Sequence, residues 1–372
     1  MCFSTVAQFV RQLDAELKEH PSSVFFYCIK DKSIQSLNRA VCKVGLYMIL
    51  HHQSSLDEVR QLFVWALDDP TSKGSLDTTS GLNVIDIWAG ICKAKQHGWI
   101  ACPALSQNFM WGSIDLDEYE HNADPLNGDM HEVVPGKFLV FRAPQDLGGM
   151  IHLDHAETWT RTFAPEFYAD VLPDYGVTSL VHLGDAHNSY AAFADRGIAC
   201  HDLLADDNDP CDQLGPAAAA FLRIAAGAGA VAVPCAGRRG LAGALIALHL
   251  VEARGFTAQE ALGWLALMRP GLVTGRRRLR ELQRAHGRSV SAPAPAPPPN
   301  IPAIPPPPAL VRSCEMPAPN PGAADKPAGG RPRAGSAPPS RPDLAEALAA
   351  AEAAWEDDPL GPCLGTAADL NS

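Results

Sequence analysis

Cys235 lies where a short apolar run ends at a glycine-containing turn and a long apolar segment follows, in VAVPCAGRRGLAGALIALHLVEARGF (231–256). A strand that leads through such a turn into a helix directs several backbone N–H groups at one point, and the helix N-terminus adds partial positive charge. A cysteine at the mouth of the turn has a stabilised thiolate, which suits a nucleophile that attacks phosphorus. Taken alone, Cys235 is better interpreted as a buried cysteine without a chemical role, since free cysteines are commonly buried.

The turn after Cys235 is the candidate phosphate-binding loop. Its members are Ala236, Gly237, Arg238, Arg239 and Gly240. We expect the two arginine side chains to point outward while their backbone N–H groups point inward.

A strand and a helix must hold this loop, and the sequence predicts a strand at 230–234 and a helix from about Leu241 to Arg254. Hydrophobic periodicity predicts further helices at 5–20, 34–52, 82–100, 215–229 and 257–268, and strands at 22–29, 137–141 and 177–183. Capping-box patterns predict helix starts at Ser54/Ser55 with Glu58 and at Thr257 with Glu260. Trp264 and Met268 in the last helix are predicted to be core residues.

Charge and hydropathy exclude several classes of function. The formal net charge of -12 argues against a nucleic-acid-binding protein. Arg11 and Asp14 interrupt the start, where a secretory signal needs an unbroken apolar core. No apolar run of about 20 residues is present to span a bilayer, so no membrane partner is expected.

The 10 cysteines contain no C-x-x-C pair, which argues against zinc and favours reduced thiols in the cytoplasm or nucleus. HLDH (152–155) lacks further ligands and is interpreted as surface polar residues. We therefore predict no metal and no other cofactor.

The amino-acid composition of the chain changes at about Ser289. Prolines dominate the region 289–340, which cannot form a packed core and is predicted to be a disordered linker. The stretch 342–358 has helical composition but is marginal alone. The proline-rich tail is a plain spacer or a docking site for SH3 or WW domains.

Several separate blocks resemble one protein family, in the family's order. They are the loop PCAGRRGLAGALIA (234–247), GLNVIDIWAGICKAKQHGWI (81–100), DLDEYEHNADPLNGDMHEVVPGKFLVF (115–141), FAPEFYADVLPDYGVTSLVHL (163–183) and RGFTAQEALGWLALMRPGLVTG (254–275). Over residues 5–285 the chain resembles the cell division cycle fourteen (mitotic-exit) family of dual-specificity and protein-tyrosine phosphatases.

The resemblance implies an α/β fold with two tandem dual-specificity-phosphatase-like domains, each a mixed sheet flanked by helices. We predict an N-terminal, non-catalytic domain at 1–114, a C-terminal phosphatase-like domain at 115–288 and a disordered Pro/Ala-rich tail at 289–372. The family has further strands before the helix that opens this chain, so we expect either a sequence that is truncated at its start or an incomplete first domain.

The resemblance also implies roles for individual residues. Cys235 corresponds to the nucleophile and Asp206, with Asp207 as a near alternative, to the general acid that protonates the leaving group. Glu118 and Asp129 match the acidic substrate groove and would bind a basic peptide. A solvated acidic loop is an equally good interpretation of these two acids.

At three positions the chain lacks the residue types that the family uses in its mechanism. Pro234 replaces the histidine that supports the thiolate, and Leu241 replaces the arginine that grips the phosphate oxygens. The predicted turn at 275–278 has no glutamine to position water. Its three arginines and Arg280 form a basic cluster. This cluster is a solvated helix end, a nuclear import signal or a contact to phosphate.

Two functions remain open. One is an impaired phosphatase that acts on phosphotyrosine and on phosphoserine or phosphothreonine before proline. The other is a catalytically inactive phosphatase-like module that binds phosphoproteins or other partners.

Overall fold

In this computed structural model, the described residues are 1–29, 33–67, 74, 76, 82–101, 110–183, 190–203, 214–235, 239–272 and 364–366. The helices are α1 Phe3–Glu19, α2 Ile34–Leu50, α3 Leu56–Leu62, α4 Val64–Leu67, α5 Val84–Gln96, α6 Leu116–Ala123, α7 Pro165–Val171, α8 Ala191–Ala194, α9 Leu214–Ala225, α10 Arg239–Arg254 and α11 Ala258–Met268, with a 3-10 helix at Leu172–Tyr175. The strands are β1 Phe25–Tyr27, β2 Met110–Trp111, β3 Ile114–Asp115, β4 His131–Val134, β5 Phe138–Arg142, β6 His152–His155, β7 Thr160–Phe163, β8 Val177–His182, β9 Ala199–Asp202, β10 Ala230–Cys235 and β11 Leu364–Thr366.

A five-stranded mixed sheet lies at the centre of the second half of the chain. Its order is β4-β5-β10-β8-β9. The strand β10 pairs in parallel with β5 and β8, β8 pairs in parallel with β9, and only β4 is antiparallel to its neighbour. Every residue of β10 is buried, as expected for the middle strand of a sheet covered on both faces.

Alternating residues of the sheet face two apolar layers. Val231 and Val233 of β10 belong to the larger core cluster, which contains residues of α1, α2, α5, α9, α10 and α11. Ala230 and Ala232 belong to a smaller cluster with Tyr168 of α7 and with α8. The predicted α/β class, with a mixed sheet flanked by helices, is therefore confirmed.

Helices α5 and α11 pack so closely that glycines are required at their contact. A Cβ atom on Gly263 would lie 2.0 Å from the backbone oxygen of Asp86, and one on Gly90 would lie 2.6 Å from the backbone nitrogen of Trp264. The Trp264 indole N–H donates to the Val133 carbonyl oxygen at 2.8 Å. These contacts connect the N-terminal helices to the edge of the central sheet.

Most predicted elements are confirmed, including the capping boxes at Ser55/Glu58 and Thr257/Glu260 and the burial of Trp264 and Met268. The strand predicted at 22–29 is shorter, at Phe25–Tyr27, and pairs with β11. The four residues of HLDH form an exposed strand of a separate two-stranded sheet. The predicted domain boundary at 114/115 stays a prediction. The predicted tail lies outside the described residues except for 364–366.

None of the helices in the described part of the chain is both long and apolar enough to cross a membrane.

His249 of α10 is a buried polar residue in the larger core. It is 6% exposed, and its ring meets Phe138 edge-on with the ring centroids 4.9 Å apart. Within the described residues its Nε2 atom has no hydrogen-bond partner. Burial lowers the pKa of His249 to about 4, with smaller contributions from Arg254 and Lys137. The folded protein therefore holds this ring neutral.

We expect acid to destabilise the protein through His249. The His249 ring takes a proton below pH about 6.5 in the unfolded protein, but only near pH about 4 in the folded protein. The free energy of unfolding therefore decreases as the pH falls through this interval, by about 3 kcal/mol in total. Urea unfolding at pH 7.5 and 4.5 tests this for the wild type and His249→Leu. The variant should lose about 2 to 3 kcal/mol less than the wild type. Equal losses in the two proteins would contradict the prediction.

Candidate active site

The candidate nucleophile lies at the carboxyl edge of the parallel part of the sheet. Cys235 is the last residue of β10, and its register partner on β5 is Arg142. It is 7% exposed, and its Sγ atom lies 3.8 Å from the Val233 carbonyl oxygen. Because ligands of open α/β sheets bind outside the carboxyl ends of the strands, this position suits a reactive residue.

The loop after Cys235 is only partly described. Ala236, Gly237 and Arg238 lie outside the described residues. Arg239 and Gly240 were expected in the loop but begin α10, which therefore starts earlier than the predicted Leu241. The N–H groups of a first helical turn have no intrahelical acceptor, so these residues keep donors for an anion. Their role in phosphate binding stays a prediction.

Leu241 belongs to the larger apolar core. It lies in the first turn of α10 and is 1% exposed. Close by in the helix, a Cβ atom on Gly243 would lie 2.4 Å from the Leu272 carbonyl oxygen, so α10 contacts the segment that follows α11 directly. The position at which the resemblance requires an arginine is thus filled by a packed apolar side chain.

The general-acid candidates Asp206 and Asp207 lie outside the described residues, as do Arg276, Arg277, Arg278 and Arg280.

Asp129 lies in a cluster of charged side chains that we call the Asp129 cluster: Asp129, His131, Arg142 and Arg269. The Asp129 carboxylate is 2.9 Å from His131 Nε2, accepts from Arg269 Nη2 at 2.9 Å and lies 3.9 Å from Arg142 Nε. Burial alone would raise the pKa of Asp129, but the His131 hydrogen bond and the charges of Arg269 and Arg142 lower it overall. Both carboxylate oxygens are thus engaged within the protein, which disfavours a role in peptide binding.

Glu118 lines an acidic cavity of about 270 Å³, and Asp129 is not among the residues that line it. Its side chain accepts a hydrogen bond from the Tyr175 hydroxyl at 3.0 Å. Asp115 and Glu132 also line the cavity. Burial raises the pKa of Glu132, and the charge of Glu118 raises it further. Within the described residues, this cavity gives Glu118 room for a basic side chain.

Polar residues also lie at the carboxyl ends of β8 and β9, on the other side of β10 from Arg142. His182 ends β8 and Asp202 ends β9, with His182 Nδ1 at 3.9 Å from Asp202 Oδ1. The Tyr190 hydroxyl donates to Asp202 at 2.9 Å, and burial together with this carboxylate raises the pKa of Tyr190. Sequence reasoning identified none of these residues, because they come together only through the strand order.

Arg142 was missed for a related reason. The strand predicted at 137–141 ends one residue before Arg142. The structure makes Arg142 the last residue of β5. A charged residue at the end of a buried parallel strand was the available signal.

Curated proteins with similar sequences carry one family name. A CDC14C dual-specificity protein phosphatase from Symphalangus syndactylus is 29% identical over 239 residues, which is 62% of this chain and 45% of that protein. A CDC14AB phosphatase from Danio rerio is 30% identical over 262 residues, covering 68% and 40%. The CDC14 tyrosine-protein phosphatase of Saccharomyces cerevisiae is 27% identical over 266 residues, covering 68% and 44%. The chain spans less than half the length of these relatives.

No family-level sequence model matches the chain. Among solved structures, PTPMT1 aligns with 44% of this chain and 96% of its own, at 14% identity and a TM-score of 0.34. Tk-PTP aligns with 43% and 97%, at 18% identity and a TM-score of 0.33. Likenesses this weak carry no argument about function. The relationship comes from the sequences: the curated homologues of this chain are CDC14 dual-specificity phosphatases.

Proposed function

Starting from this relationship to the CDC14 dual-specificity phosphatases, we propose that the chain is a slow protein phosphatase that uses Cys235 as its nucleophile. The observation that carries the proposal is the position of Cys235 at the carboxyl end of the central strand, shortly before the first turn of α10. This position supports a phosphate-binding thiolate, because the N–H groups of the first turn of α10 have no intrahelical acceptor and follow closely in the chain.

The proposed reaction has two steps. In the first, the Cys235 thiolate attacks phosphorus, an S–P bond forms and the P–O bond to the protein side chain breaks. The leaving oxygen takes a proton, which the resemblance assigns to Asp206. In the second step, water attacks phosphorus and gives up a proton to the deprotonated Asp206, the S–P bond breaks, inorganic phosphate leaves and the Cys235 thiolate is restored. The protein supplies the nucleophile, the general acid and the backbone donors.

Turnover is expected to be slow because the loop has lost a main transition-state donor. A guanidinium binds phosphate oxygens through paired N–H groups, which leucine lacks. Arginine fingers in other phosphoryl-transfer enzymes contribute about 10³–10⁵ in rate. Pro234 stands where the family has a histidine and residues 275–278 contain no glutamine, so two further supports are missing and the second step is expected to be slowed as well.

We propose phosphotyrosine and phosphoserine or phosphothreonine before proline as the substrates, in proteins of the cytoplasm or nucleus. The acidic cavity with Asp115, Glu118 and Glu132 would favour a basic residue near the phosphorylated side chain. SH3 or WW domains are proposed as partners of the proline-rich tail.

The burial of Leu241 favours a second candidate function, a module that binds phosphoproteins without turnover. An apolar side chain that is 1% exposed cannot stabilise developing charge, whereas backbone N–H groups alone can still bind phosphate.

Hydrolysis of a small aryl phosphate by the full chain tests the first function against the second. We expect slow release of phenol that Cys235→Ser abolishes. Cys92→Ser, a change in α5, is the matched control and should retain the wild-type rate. A wild-type rate equal to that of Cys235→Ser would reject the phosphatase and leave the binding module.

A further inference from the structure

Arg142 stands beside the candidate nucleophile in the sheet. The parallel strands β5 and β10 place Arg142 directly opposite Cys235. Neighbouring strands lie about 4.8 Å apart, which is well within the length of an arginine side chain. Residues in register on parallel neighbours project from the same face, and Val140, Val233 and Cys235 all belong to the larger core cluster. The alternation therefore directs Arg142 and Cys235 to the same side of the sheet.

The guanidinium of Arg142 is the least engaged of the charged groups in the Asp129 cluster. Its Nε atom lies 3.9 Å from Asp129, which is too far for a hydrogen bond. Among the described residues no side-chain donor of Arg142 makes a hydrogen bond, and the side chain is 31% exposed. Its N–H groups are thus available to a ligand at the carboxyl edge of the sheet.

Arg269 in the same cluster also has an unsatisfied donor. Its side chain is 5% exposed and its Nη2 atom donates to Asp129 at 2.9 Å. Its Nη1 atom is buried without a hydrogen-bond partner in the described part of the chain. A buried charged donor without an acceptor is costly, so an unpaired guanidinium nitrogen indicates a missing anionic partner.

The charges of the cluster do not balance. One carboxylate, that of Asp129, faces two guanidinium groups. The remaining positive charge lies on the strand next to Cys235. This arrangement has the sign and the donors that a phosphate dianion requires.

We propose that Arg142, supported by Arg269, binds the phosphoryl group at Cys235 and thereby takes over part of the binding role of the arginine that Leu241 displaced from the loop. The inference rests on the proposed function, because it assigns the anion to the same site. It names a phosphate-binding residue on β5, outside the loop that the resemblance identifies.

Calorimetric titration of the full chain with tungstate, a tetrahedral oxyanion, tests the inference without requiring turnover. We expect Arg142→Gln to weaken tungstate binding at least tenfold and Arg142→Lys, which keeps the charge but not the paired donors, to weaken it less. Arg196→Gln is the matched control: Arg196 pairs with Asp170 away from this edge and should leave binding unchanged.

Alkylation of Cys235 provides a readout that a merely structural role would not change. The rate of iodoacetamide labelling at Cys235, followed by mass spectrometry of its peptide, reports the pH at which the thiol ionises. Removing a neighbouring positive charge raises that pH, so Arg142→Gln should shift the profile upward by about 1 unit. Circular dichroism and urea unfolding of the same variants show whether the fold is retained.

The outcomes separate this inference from the proposed function. Tungstate binding that depends on Arg142 supports the inference even if the chain turns over no substrate. Equal tungstate binding by the wild type and a folded Arg142→Gln overturns it, even if the chain is an active phosphatase. An unshifted labelling profile in that folded variant overturns it as well.

Discussion

Replacing Leu241 with arginine is expected to raise the rate of aryl phosphate hydrolysis by about 10²-fold or more. Residue 241 lies in the first turn of α10, just after the candidate loop, so an arginine there starts next to the anion site. A bidentate guanidinium at this point of a phosphoryl transfer contributes about 10³–10⁵ in rate. We expect less than the full gain, because Pro234 and residues 275–278 also differ from the family's sequence pattern.

The gain in rate has a cost in stability. Leu241 is 1% exposed, and its removal from the core loses about 1.5–3 kcal/mol of apolar burial. The arginine stem recovers part of this if the charged head reaches the loop. The free energy of unfolding of Leu241→Arg should therefore be lower than that of the wild type while its rate is higher.

Two further variants at Leu241 make this prediction specific. Leu241→Met keeps an apolar side chain of similar volume and should leave the rate unchanged. Leu241→Lys supplies charge without the paired N–H groups and should gain much less than arginine. Steady-state hydrolysis by the folded variants is the measurement. A rate for Leu241→Arg no higher than for Leu241→Met would show that the position cannot reach the anion.

Replacing Gly263 with alanine is expected to destabilise the protein by about 3 kcal/mol or more. The new Cβ atom would lie 2.0 Å from the Asp86 carbonyl oxygen and 2.9 Å from the Ile87 nitrogen. Both are backbone atoms of the first part of α5, so no rotamer change relieves the contact. The two helices must separate, which opens the core around the fully buried Trp88 and Trp264.

Helix propensity predicts the opposite sign for this change. Glycine in a helix interior costs about 1 kcal/mol relative to alanine, so Gly263→Ala would stabilise α11 if its packing were loose. Ala266→Gly, at a partly buried position of the same helix, measures the propensity effect alone and should cost about 1 kcal/mol. Urea unfolding of the three proteins decides between the effects. A stabilised Gly263→Ala would mean that the close contact of α5 and α11 is absent.

The elements around the candidate active site follow from local signals in the sequence. The apolar run before Cys235 predicts β10, and the period of the segment after it predicts α10. Thr257 and Glu260 predict the start of α11, because the side chain of each satisfies the other's backbone N–H. Such patterns depend on neighbours within a few residues, so one sequence suffices to identify them.

The composition of the site depends on contacts between distant residues and could not be predicted in this way. Strand order, not sequence spacing, brings Arg142 next to Cys235. The resemblance pointed to Asp129 as a groove acid, but its carboxylate is held by Arg269 and His131. Only the packed structure shows that the two acids predicted for one groove have separate surroundings.

The proposed phosphatase reaction requires a phosphorylated cysteine as its intermediate. Detection of this intermediate is the most direct test of Cys235 as the nucleophile. The full chain would be mixed with an aryl phosphate and quenched in acid within seconds, and its peptides would be examined by mass spectrometry. Because the second step lacks the glutamine that positions water, we predict that one phosphoryl group accumulates on Cys235 and that Cys235→Ser carries none. No phosphoryl group on Cys235 at any quench time, together with no release of phenol, would contradict the assignment of Cys235 as the nucleophile.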